Sequence, residues 1–252
     1  MADAIGRRRL PIPALAVAAI LVACGSPTTS PSADPSASEE PARANVQLVC
    51  EGGTPFPSDL LLGPGLAETG GDAAAQALRA FLASSDGQSF PQSGWVVVAE
   101  QPDRAEFLAP NPTTDGWSSV ALVRQGDGFG VERAEDCAPT VVLGEELGVA
   151  DWRLDPSFPP PVGHDTAVHV LLRELACASG TTPAERLEAP TVVYEPEAIL
   201  ITIAVRERHG DQDCQGNPEF ALEISLDEGV GNRPLLDAGT WPPHDESAPP
   251  DS

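Results

Sequence analysis

Four cysteines, Cys50, Cys137, Cys177 and Cys214, set the strongest limit on the folds open to this chain. An even set of thiols in an oxidising compartment closes into cross-links, and a cross-link forbids any fold that holds its two ends apart. Three pairings exist. The sequential one, Cys50–Cys137 with Cys177–Cys214, keeps each bridge inside one strand-rich half of the chain. No Cys-x-x-Cys spacing occurs, which speaks against a zinc ribbon or a thioredoxin-type redox site.

The N-terminus argues for the oxidising compartment. Arg7, Arg8 and Arg9 form a positive block, followed by an apolar stretch from Leu10 to Ala23. That stretch is too short to span a bilayer and is interrupted by Pro11 and Pro13. Together these are the anatomy of a cleaved export signal over residues 1–23. The residues Leu21-Val22-Ala23-Cys24-Gly25 resemble the lipobox of bacterial lipoproteins. The resemblance implies a diacylglycerol thioether on Cys24, cleavage before it, and palmitate-type acylation of the new N-terminus. The protein would then sit, secreted but lipid-anchored, on the extracytoplasmic face of the cell membrane. Two acyl chains suffice for stable anchoring, since each buried methylene contributes about 0.8 kcal/mol. Arg7-Arg8 also fits a twin-arginine signal, but Pro11 falls where that signal prefers an apolar residue, so the export route stays open.

From Gly25 to Ala44 the chain is Ser, Pro, Thr, Ala and acidic residues without apolar periodicity. Such a segment buries too little to offset its ordering entropy and reads as a disordered tether over 24–44. Extended, it would reach roughly 60 Å from the membrane. Removal of residues 1–23 leaves about 229 residues, enough for two ordinary domains. The basic residues are all arginine, a bias that points to a GC-rich, actinobacterial genome. The formal charge of −24 repels phosphates and anionic headgroups, which excludes nucleic acid as a partner and keeps an exported protein soluble.

The pattern of residues predicts an α+β, strand-rich fold. A helix-plus-antiparallel-sheet domain is expected over 45–143. Val46–Val49 reads as an opening strand, and Asp72 caps a helix through Ser84 with Leu78, Phe81 and Leu82 on one face. Strands follow at Trp95–Glu100, Arg104–Ala109, Ser118–Arg124 and Phe129–Glu135, joined by turns such as Gly126-Asp127-Gly128. Residues 144–164 read as a Pro-rich connector, with Trp152 packing at the junction. A small all-β, sandwich-like domain is expected over 165–243. Its strands fall at Ala167–Ala176, Thr191–Tyr194, Ala198–Arg206, Phe220–Leu226 and Leu235–Asp237. Residues 244–252 read as a disordered tail. Three stretches of this half, Glu174–Gly180, Cys214–Pro218 and Gly231–Asp237, are similar to a pattern in uncharacterised actinobacterial exported proteins, a resemblance that carries no activity with it.

No reaction centre is evident. The absence of lysine removes Schiff-base chemistry, PLP attachment, the P-loop and the Ser-x-x-Lys nucleophile. His164 beside Asp165, with His169 on the following strand, are the candidates for a general base or a ligand. Asp211 and Asp213 resemble a fragment of a calcium loop without its closing glutamate. No spacing calls for a metal or cofactor. Gly231-Asn232-Arg233 reads as a turn, with Arg233 paired to a local carboxylate such as Asp237. The leading expectation is a non-enzymatic binding or interaction module of the cell envelope, with an envelope protein as a possible partner. The alternatives are a cell-wall hydrolase using paired carboxylates and a solute-binding lipoprotein. Replacing Cys24 with Ser is expected to move the protein from the membrane fraction to the soluble fraction. Retention at the membrane in that variant would refute lipid anchoring at this position.

Overall fold

The structure of the protein, a computed structural model, describes residues 46–114 and 116–247. The export signal, Cys24, the tether and residues 248–252 lie outside the described residues.

The fold is α+β and rich in strands. The first half opens with β1 (Gln47–Val49) and β2 (Phe56–Pro57), followed by α1 (Ala73–Leu82). The Asp72 carboxylate accepts the Ala75 amide at 2.8 Å and satisfies one of the free donors at the start of α1. Four strands follow: β3 (Val96–Gln101), β4 (Arg104–Asn111), β5 (Gly116–Gln125) and β6 (Gly128–Cys137). They form one antiparallel sheet in sequence order, as successive hairpins should. Gly126, at the tip of the last hairpin, takes a φ of +61°, a backbone conformation that favours glycine.

Strand β4 is buried on both faces. Ala105, Phe107 and Ala109 pack against Leu78, Leu82 and Trp95 on the helix side. Leu108 faces the other way, toward Leu48, Phe56 and Leu61. The cover on that second face is a small sheet in which β1 lies between β2 and β7 (Thr140–Val141). The result is a helix, a central sheet and a short covering sheet. The Cys50–Cys137 bridge joins the end of β1 to the end of β6 and so links the last two layers.

The second half is one mixed seven-stranded sheet. Its elements are β8 (Leu147–Leu154), β9 (Ala167–Glu174), β10 (Thr191–Tyr194), β11 (Ile199–Arg206), β12 (Phe220–Ser225), β13 (Leu235–Asp237) and β14 (His244–Asp245). The order is β12-β9-β8-β11-β13-β14, with β10 also paired to β11. Ile199, Ile201, Ile203 and Val205 alternate along β11 and are fully buried, packing with Trp152, Val168, Val170, Leu172 and Leu235. The Cys177–Cys214 bridge joins the segment after β9 to the loop that leads into β12.

Two segments differ from the sequence-based expectation. Residues 147–154, read as connector, form the central strand β8, and Trp152 is a core residue whose indole donates to the Ile201 carbonyl at 3.2 Å. His244 and Asp245, read as tail, pair with β13. The halves are also joined by hydrogen bonds. Thr140 bridges to Thr240, the Val141 amide donates to Gly239, and the Trp241 amide donates to Pro139. Among the described residues no helix is long and apolar enough to cross a membrane.

The two bridges close loops of 87 and 37 residues. In the chain-entropy treatment each constrains the unfolded state by roughly 4–5 kcal/mol, because the dependence on loop length is logarithmic. The Cys50→Ser/Cys137→Ser and Cys177→Ser/Cys214→Ser pairs are therefore expected to lose similar amounts in urea unfolding. A loss under about 1 kcal/mol for either pair would contradict this.

Candidate functional site

The site is formed where β8 ends and β9 begins. The Asp155 amide donates to the His169 carbonyl at 2.9 Å, which extends the ladder by one residue beyond β8. The buried Asp155 carboxylate then accepts the Ser157 amide at 2.8 Å and turns the chain outward. Pro159, Pro160 and Pro161 follow, lacking amide hydrogens and unable to rejoin the ladder. The loop closes on itself at the far end. The Val162 amide donates to the Asp165 carboxylate, and the Asp165 amide donates to the Val162 carbonyl, both at 2.8 Å.

The returning segment is held against the loop after β12. The amides of Leu226, Val230 and Gly231 donate to Thr166, Asp165 and Gly163. The backbones approach so closely that a Cβ at Gly229 would stand 2.6 Å from the Gly163 carbonyl oxygen. The third wall comes from the strap after β13. The Glu246 amide donates to the Leu235 carbonyl at 2.9 Å, and the Asp245 carboxylate accepts the Ser247 amide at 2.9 Å.

Between these segments lies a cavity of about 1000 Å³. Leu154, Phe158, the proline run and Val168 supply apolar surface, while Thr166, His164 and His169 supply polar groups. Phe158 stacks on the His169 ring, with centroids 3.7 Å apart and planes 12° from parallel. Phe158 as a residue is nevertheless 45% exposed. The two histidines singled out in the sequence thus share one cavity. His164 is 88% exposed and 3.6 Å from Asp165, and His169 is 3.7 Å from Glu223.

Asp211 and Asp213 do not line this cavity. Asp213 belongs to the loop closed by the second bridge, where its backbone exchanges hydrogen bonds with Ser179. Among the described residues no three His, Cys, Asp or Glu side chains gather as a metal site. Arg233 pairs with Glu228 at 2.6 Å rather than with Asp237.

Asp237 instead lies under the strap, 2% exposed, and accepts the Gly239 amide at 2.8 Å and the Trp152 amide at 3.3 Å. Burial pushes its pKa up to about 7 against those two bonds, with the Glu246 and Asp151 charges adding to the rise. Glu246 is raised as well, first by burial and then by Asp151 and Asp245, with Arg153 opposing. Phe158 and Glu246 carry no motif in the sequence, and Asp237 reads there as a partner for Arg233 at the end of a resemblance stretch. Phe158 meets His169 because the loop folds back, and Asp237 is enclosed by the amides of Trp152 and Gly239 from separate parts of the chain.

Comparison with protein-family models, curated proteins and solved structures gives no match for this chain.

Asp237 makes stability pH-dependent, and its sign is set by the raised pKa. Between the ordinary carboxylate value of 3.8 and about 7 the folded protein holds a proton that the unfolded chain releases. The stabilisation is complete below that window and is lost as pH rises through about 7. The thermal midpoint is therefore expected to fall as pH rises from about 4 to about 7 and to level off above that. Asp237→Asn should flatten that fall. An unchanged pH slope in the variant would refute the assignment.

Proposed function

We propose that this chain is a lipid-anchored protein of the extracytoplasmic membrane face. Its exported part acts as a non-enzymatic binding module, and the cavity between the 155–166 loop, the start of β9 and the C-terminal strap is its working site. The observation that carries this reading is the cavity's construction. Backbone hydrogen bonds tie the 155–166 loop to the loop after β12 and the strap to β13, around an apolar, partly aromatic space. Concave apolar surface with a few polar groups is the usual form of a small-ligand site.

The carboxylates lining the cavity support binding over hydrolysis. Asp155, Asp165 and Asp245 each accept a backbone amide that shapes their own loop, so three of the four acids have structural work. Acid–base hydrolysis of a glycoside needs two carboxyl groups facing across the substrate, one of them kept protonated. The solute-capturing alternative becomes part of the leading reading, with a single pocket in place of two closing lobes.

The test is retention. The protein is incubated with small molecules extracted from the envelope, washed, and its bound compounds identified by mass spectrometry. A compound retained by the protein and lost from Ala167→Trp, which fills the cavity, is the expected result. The same compound should raise the melting temperature of the parent protein alone. Equal retention by both proteins would defeat the proposal.

A further inference from the structure

We propose, building on the cavity as a binding site, that its ligand is a small organic cation with an apolar body. The positive group lies beside Glu246, and the apolar part lies on the exposed face of Phe158.

The charge balance of the walls carries the first half of this statement. Asp155, Asp165, Asp245 and Glu246 line the cavity, against Arg153 as the lining's one arginine. The Arg153 guanidinium is engaged elsewhere, donating twice to Glu219 at 3.0 Å in a forked pair. Three of the four acids have amide donors, as described above. Glu246 is half-buried with no hydrogen-bond donor among the described residues, and its charged neighbours there are Asp151 and Asp245, with Arg153 opposing. Asp151 is itself paired with Arg173 at 2.8 Å. A carboxylate removed from water among like charges is stabilised by a cation brought next to it. An anion would meet those charges and a protein of net charge −24.

The second half rests on the ring. One face of Phe158 is covered by His169, which fixes its orientation, and the residue remains exposed at the cavity. An aromatic face attracts an apolar group and, within about 6 Å, a cation. The prolines and Val168 extend the apolar surface. A bare metal ion does not suit this setting, because no three ligating side chains converge among the described residues. The charge must arrive on an organic body.

The experiment uses the full chain carrying Cys24→Ser, with benzyltrimethylammonium and its neutral isostere 2,2-dimethylpropylbenzene as probes, followed by ligand-observed NMR at about pH 8. The cation is expected to bind about tenfold more tightly than the isostere, a ratio of the size one exposed charge contact provides. Glu246→Gln should reduce that ratio several-fold while leaving the isostere's affinity unchanged, which also shows that the variant is folded. Phe158→Ala should weaken both probes. Equal binding of the two probes, or an unchanged ratio in Glu246→Gln, overturns the cation inference and leaves the cavity reading intact. Retention of an anionic compound in the extract experiment would do the same. Binding of neither probe, together with no retained compound, overturns both.

Discussion

The pairing of β11 along both its edges supports the second half of the molecule. On one edge its final residues, Ile203 to Arg206, pair with β8, while its first residues, Ile199 to Ile201, run parallel to β13. On the other edge it pairs with β10. Its inward side chains are all β-branched and fully buried, which suits a pleated strand packed against a core. Two consequences follow. β8 is fixed as the strand from which the cavity loop departs, and β13 is fixed as the root of the strap that forms the cavity's third wall. The cavity is a product of sheet architecture, and its loops are shaped by where their ends are pinned.

Three buried carboxylates show how differently an acidic chain handles charge removed from water. Glu174 is held by Arg186 in a two-pronged pair at 2.7 and 2.5 Å. Burial pushes Glu106 upward, but the Thr54 amide, Arg104 and the Thr54 hydroxyl outweigh it and leave its pKa lowered. Asp237 has amide donors but no cation among the described residues, and burial wins. At Glu106 the cation and donors together outweigh desolvation, whereas at Asp237 two amides alone do not. Asp237, its pKa pushed up to about 7, thus lies in the second half of the chain, on the strand from which the strap departs.

Much of the fold was legible because its strands alternate. Phe220, Leu222 and Ile224 face one side of β12, and the four inward residues of β11 face one core, as their spacing implies. The capped helix was equally plain. β8 escaped because Gly148 and Ala150 dilute its apolar signal and Pro156 follows two residues after its end. Strands β2, β7 and β14 are two residues each, too short for any period to register. Of the site, His164 with its neighbour Asp165, and His169, drew notice, by residue type. The stacking of Phe158 on His169 and the burial of Asp237 are tertiary events with no local trace.

The placement of Cys50 has a mechanical meaning. A pull applied from the N-terminal side would reach the described fold at Val46 and load β1, which is hydrogen-bonded to β2 on one side and β7 on the other. Only four residues could peel away before the strain met the covalent link to Cys137. From there tension passes directly across the bridge, and the whole of α1 and the four-stranded sheet lies in a loop that bears none of it. The helix, its packed sheet and their hydrogen bonds are shielded from extension, so a tug that frays the first strand leaves the rest of that half at rest.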